Sequence, residues 1–153
     1  MEQQTLGQDL QTHQKGLGKA DISYKSALEI KSAEIAQAES EVTFREKHAA
    51  SSRELLNRLE KLTKSGGISA VEVLQHRLDA AESEKNLSVA QRTLEQVKLE
   101  RQQMEAEYAR TRAENTAEIE KLKMRLAALH GDLADSKENL LVIRAPYSGV
   151  VIS

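Results

Sequence analysis

From Leu6 onward, apolar or small side chains return every three or four residues, and the pattern runs for most of the chain in two blocks separated by one glycine pair. In the first block the repeat reads Leu6, Leu10, His13, Leu17, Ala20, Tyr24, Leu28, Ile35, Ala38, Val42, Ala49, Ser52, Leu56 and Leu59. Such a seam specifies helices that pack along one narrow face. Lys31 and Arg45 occupy seam positions, and the two consecutive steps of four through Tyr24 and Leu28 form a stutter that relaxes the supercoil locally. Gly7, Gly16 and Gly18 lie off the seam, each costing about 1 kcal/mol relative to Ala, so the first twenty residues are expected to be the weakest part of that helix.

The second block reads Leu87, Ala90, Leu94, Val97, Arg101, Met104, Tyr108, Thr111, Asn115, Ile119, Leu122, Leu126, Leu129 and Leu133. The two blocks predict helix 1 over about 3–65 and helix 2 over about 69–138. At 1.5 Å per residue each arm would be about 90 to 100 Å long, which predicts a rod.

The join, residues 64–73, reads Lys-Ser-Gly-Gly-Ile-Ser-Ala-Val-Glu-Val. Gly66 supplies a left-handed residue to end helix 1, and Gly67 gives further slack in a turn over 66–68. Ser69 caps helix 2, Glu72 stands three residues on as the partner of a capping box, and Ile68 can pack on Val73 as a hydrophobic staple. Nearly equal arms on either side of a short turn predict an antiparallel helical hairpin.

Composition narrows the chemistry. One Phe, three Tyr and no Trp leave the interior to Leu, Ile, Val and Ala. The net charge of −2, with both signs interspersed, provides no basic block to track a phosphate backbone, so nucleic acid is not an expected partner. There are no cysteines for disulfides or thiolate metal sites. His13, His48, His76 and His130 lack a second His or Cys at helical spacing, and no nucleotide-binding loop or enclosed acid–base cleft is evident, so no metal, cofactor or catalytic residue is expected. His13, in the seam, is expected to be bonded to a neighbour, and the other three to be surface residues.

Residues 140–153 break the helical pattern. The sole Pro stands three residues before Gly149, and Pro146-Tyr147-Ser148-Gly149 lies between two β-branched runs, predicting a strand–turn–strand. The fold expected is therefore all-α, a long antiparallel two-helix hairpin over 1–139, with a short C-terminal β segment over 140–153.

This arrangement resembles the HlyD-like membrane fusion proteins, the periplasmic adaptors of bacterial efflux pumps and type I secretion systems. In that family a helical hairpin interrupts a lipoyl-like domain, and the chain re-enters the domain through a segment matched here by Ile143, Ala145, Pro146, Tyr147, Gly149, Val150 and Val151. The tip offers a second match, an Arg, a Leu four residues later and a Ser seven beyond that, at Arg58, Leu62 and Ser69. The resemblance implies that these three dock on a TolC-type outer-membrane channel, with Arg58 as polar anchor, Leu62 as apolar contact and Ser69 beside the turn. It further implies a second partner, an inner-membrane exporter of ABC or major-facilitator type rather than the proton-driven multidrug type. Self-association into a ring and a periplasmic location attached to the inner membrane also follow from it.

The first half of the lipoyl-like domain is not in the sequence, which reads as an excised piece. The turn also lacks the modifiable Lys of true lipoyl carriers, which disfavours covalent carrier function. Each tip residue has a plainer alternative: Ser69 as an N-cap, Leu62 as core, Arg58 as an ion pair with Glu54. A cytoplasmic coiled-coil scaffold or tether without a transport role is the competing class of function.

Overall fold

The computed structural model describes residues 2–138 with their side chains. Two helices make up the fold, α1 over Glu2–Lys64 and α2 over Ala70–Ile152, and they form an antiparallel hairpin. Among the described residues there is no strand. The expected strand–turn–strand, with its turn residues Ala145, Pro146 and Gly149, is not shown: those positions fall within the bounds of α2, and their side chains lie outside those described.

The chain divides into two compact units. One comprises residues 25–106 and contains the turn. In it Lys31 on α1 bonds Glu100 on α2 at 2.9 Å, Ser52 meets Ser83 at 3.1 Å, Arg53 pairs with Glu84, and Glu60 accepts from Arg77 at 3.0 Å. From Lys31–Glu100 through Ser52–Ser83 to Glu60–Arg77 the number of the α2 partner falls as that on α1 rises, as an antiparallel pairing requires. Of the eight apolar residues buried among the described residues, six lie here: Ile35, Val42, Ala49, Val73, Ala80 and Ala90.

Lys31 shows how a cation is accommodated at a seam position. Its ammonium, with a side chain 20% exposed, donates to Glu100 and Glu34, both at 2.9 Å. The hydrogen bond to Glu100 and then that to Glu34 raise the Lys31 pKa, and the bond from Lys31 lowers that of Glu100. The raised cation favours the fold below about 10.5 and the depressed carboxyl favours it above about 4.5, so the bridge persists across the range between them.

Ser83, 3% exposed, is the buried polar residue of this unit. Its hydroxyl donates to the Asp79 carbonyl at 2.9 Å, leaving its lone pairs to accept from the Ser52 hydroxyl and from His48 Nδ1, each at 3.1 Å. That assignment places a proton on His48 Nδ1. A small polar layer thus crosses the seam with its hydrogen bonds satisfied, and no buried side-chain polar atom among the described residues lacks a partner.

The second unit pairs residues 2–24 with 107–138. Leu6 and Ile119 are its buried apolar residues. The rings of Tyr24 and Tyr108 stack with centroids 3.8 Å apart and planes within 1°. Tyr108 donates its phenolic proton to Asp21, which also pairs with Arg112 at 2.7 Å. Farther along, Arg125 pairs with Glu2 at 3.3 Å, and His130 donates from Nδ1 to the Leu126 carbonyl while Nε2 accepts from Gln3 at 2.7 Å.

Two expectations are corrected here. His13 is exposed, whereas His48 and His130 carry the interhelical bonds, because a seam position in this thin stretch does not guarantee enclosure. Leu133, assigned to the seam, is 48% exposed.

The hydrogen bond to Asp21, followed by desolvation, raises the Tyr108 pKa above 10.0, and Arg112 pulls the other way. Folding therefore gains from the Tyr108 proton below pH 10, and the gain is lost as pH rises through the elevated folded value. An ultraviolet difference titration of wild type against Tyr108→Phe should show the missing phenol ionising above 10, and Asp21→Asn should bring it down. A phenol ionising at or below 10 would refute this account.

Candidate functional site: the hairpin tip

The tip is shaped by how α1 stops. Gly66, at φ 77°, is the left-handed residue. Its amide donates to the Thr63 carbonyl at 3.1 Å, and the Gly67 amide donates to the Leu62 carbonyl at 2.9 Å. These two bonds define a Schellman motif, which satisfies carbonyls that a helix end leaves without partners. The hydroxyls of Thr63 and Ser65 add bonds to the carbonyls of Leu59 and Lys61. Lys61 and Lys64 in the last turn of α1 and Glu72 in the first turn of α2 each complement the dipole of their own helix.

Ser69 starts α2. Its hydroxyl accepts from the Glu72 amide at 3.3 Å, and its carbonyl accepts from the Val73 amide at 3.2 Å. Among the described residues no bond from the Glu72 carboxylate back to Ser69 completes the reciprocal half of a capping box. Ile68 is half-buried and Val73 is buried, at 5% exposure. Ser69→Ala should cost about 1 kcal/mol of stability, read as a lowered urea midpoint, while Ser69→Asp should retain most of it. An unchanged midpoint for the alanine variant would show that the cap contributes nothing.

Of the three sequence-selected tip residues, Arg58 and Leu62 stand one helical turn apart on α1, and Ser69 opens α2 beyond the turn. Arg58 is exposed and pairs with Glu54 at 2.6 Å, a surface pair of the kind worth at most a few tenths of a kcal/mol. Leu62 is 50% exposed, so it is not a core residue. Ser69 is an N-cap in this structure, whatever else it touches.

The structure adds residues that the seam reading passed over. Leu55 on α1 is exposed and lies on the same side as Arg58 and Leu62, at i, i+3 and i+7. On α2, Val71, Leu74 and Leu78 have the same spacing and are 77%, 56% and 59% exposed. Helical spacing alone would have assigned that trio to a core. What places it outside is that the neighbouring positions Val73 and Ala80 already fill the seam.

A groove lined by His48, Ser52, Leu55, His76, Asp79 and Glu82 opens on the same unit. Yet no group of three or more His, Asp or Glu side chains among the described residues is placed to hold a metal ion. Nor is any helix, among those residues, long and apolar enough to cross a membrane.

No family model matches the chain, and neither a curated protein nor a solved structure matches it.

Proposed function

We propose that this hairpin is the channel-docking arm of a periplasmic adaptor of the membrane fusion type, linking a TolC-type outer-membrane channel to an inner-membrane exporter. The observation that carries the reading is the set of large apolar side chains left exposed on both helices at the tip. Leu55 and Leu62 flank Arg58 on one helix, and Val71, Leu74 and Leu78 lie on the other. On α2 the three repeat at i, i+3 and i+7, an uncovered apolar strip of the kind that marks a partner surface. The spacing of Arg58, Leu62 and Ser69 supports the choice of partner, as does the Ala145-Pro146-Tyr147-Ser148-Gly149 sequence of the expected lipoyl-like segment.

The mechanism is mechanical rather than catalytic. The hairpin presents a tip whose backbone is pinned by the Schellman motif and the Ser69 cap, so the contact residues arrive with little conformational freedom left to lose. Leu62 and its apolar neighbours would give up water against the channel, and Arg58 would exchange its intrahelical partner Glu54 for an acceptor on the channel. No large side chain among the described residues is fully buried in the hairpin. Packing that light fits a component that gains further helix contacts when several copies stand side by side in a ring.

The test is capture of the purified chain by a TolC-type channel in detergent. Retention of the wild type, and its loss in Leu62→Asp, supports the reading. Failure of the wild type to bind, or equal binding by the variant, defeats it and leaves the scaffold or tether reading in its place.

A further inference from the structure

We propose that α2 carries, over residues 110–124, a face that pairs with the same face of a second copy of this chain, the two helices running antiparallel about a two-fold axis at position 115. This stretch of α2 is distinct from the tip, and the proposal does not rest on the docking reading.

Arg110, Ala113, Ala117, Glu120 and Met124 recur at alternating steps of three and four residues, which sets them in one line along the helix. α1 covers the opposite side, where Ile119 is buried and Asn115 and Leu122 are half-buried. All five residues of the line are exposed. Met124, at 73%, is the most exposed large apolar side chain among the described residues of this unit. The two charged members are loosely engaged within α2, Arg110 standing 4.0 Å from Glu114 and Glu120 standing 3.8 Å from Lys123.

The order of charge selects the occupant. About position 115 the line is reversed in charge, with Arg110 and Glu120 each five residues away and Ala113 and Ala117 each two. Laid antiparallel on itself about that point, the face sets Arg110 against Glu120 of the second copy and Ala113 against its Ala117, each contact occurring twice. The small side chains at the centre favour a short distance between the helix axes. On one flank Glu107 comes beside Lys121 of the second copy, again twice. Met124 leans toward the N-terminus of its own helix, which in an antiparallel pair carries it over Ala109 of the second copy. There Ala109, Ala113, Thr116 and Ala117 line part of a shallow hollow. Glu114 meets its own copy beside the axis, and each of the two has Arg110 at 4.0 Å to offset its charge. A parallel pair would instead set Arg110 on Arg110 and Glu120 on Glu120. Shifting the antiparallel pair by one heptad would put Ala127 or Ala113 opposite Arg110 and lose both ion pairs. Two copies so joined run in opposite directions, so this pairing belongs to the free chain rather than to a ring whose copies point the same way.

The test is sedimentation of the purified chain over a range of concentrations. One contact between two helix faces falls short of the roughly 1,200 Å² that a stable complex buries, so a dimer is expected at hundreds of micromolar and a monomer at a few micromolar. Arg110→Glu and Glu120→Arg should each weaken the dimer about tenfold, since two attractive contacts become two repulsive ones, and the two substitutions together should restore it. Leu74→Asp, at the tip, should leave it unchanged. The chain has no cysteine, so single spin labels report the direction of pairing. In the dimer, labels at Glu118→Cys should lie about 9 Å apart along the helix axis and labels at Asp132→Cys about 51 Å apart. The proposal is overturned if no dimer forms, if both single charge reversals leave it intact, or if the double reversal fails to restore it. Close approach of the labels at position 132 would show a parallel pair, and loss of the dimer in Leu74→Asp would place the contact at the tip; either result also overturns it.

Discussion

Replacing Leu62 with Asp should lower capture by a TolC-type channel by at least about tenfold and, in the intact transport assembly, abolish export. A tenfold loss corresponds to about 1.4 kcal/mol. Leu62 is half exposed in the free hairpin, so docking would bury the rest of it and contribute on that order. A carboxylate at the same place would have to be desolvated as well, adding to the loss. Arg58→Asp should have a comparable effect through lost hydrogen bonding and reversed charge, since its present partner Glu54 shows the guanidinium to be accessible on the surface. Leu74→Asp tests the α2 stripe independently. Lys98, exposed and distant in sequence from the turn, is the control, and Lys98→Ala should bind and export normally. Normal export by both the Leu62 and the Arg58 variants, at normal helicity, would end the tip assignment.

The second large effect is expected at the glycine pair, where the two residues should respond differently. Gly66→Val should cost about 2 kcal/mol, because φ of 77° is a conformation in which a β-branched side chain collides with its own backbone. Nothing lies within 4 Å of the position a Cβ would take, so the whole cost is conformational and repacking cannot relieve it. Gly66→Asn should recover most of it, as Asn tolerates the left-handed region. Gly67 lacks a positive φ, and a Cβ there would lie 3.4 Å from the Leu62 carbonyl oxygen, close to ordinary contact. Gly67→Ala should therefore change stability by no more than about 0.5 kcal/mol, its contact offset by reduced freedom of the unfolded chain. Urea midpoints would measure all three. Equal costs at the two glycines would contradict the Schellman geometry.

Much of the helical architecture is legible along the chain because its causes are local. Each repeat of three or four residues is a statement about one helix face, and the stop and start of the helices rest on groups within six residues of one another, from Leu62 through Gly67 and from Ser69 through Val73. The Glu54–Arg58 pair is readable for the same reason, lying at i, i+4 on a single helix.

What escapes a linear reading are the properties that depend on the opposing helix. Val71, Leu74 and Leu78 have the spacing of a core face and lie outside, while Ser83, polar and outside the predicted seam, is buried. His13 sits in the predicted seam and is exposed, while His48 lies outside that seam and bonds Ser83 across to α2.

The amino-acid order alone determined that there would be two helices, where the first ends and how the second begins, since backbone hydrogen bonds, a left-handed glycine and a serine cap act over a few residues. Which faces meet, which polar groups pair across the seam, and which apolar side chains remain uncovered at the tip were decided only by the tertiary structure. The physical reason is that burial belongs to a pair of surfaces: a 3.6-residue period marks a face on each helix, and only the partner, set in one register, decides whether that face loses its water.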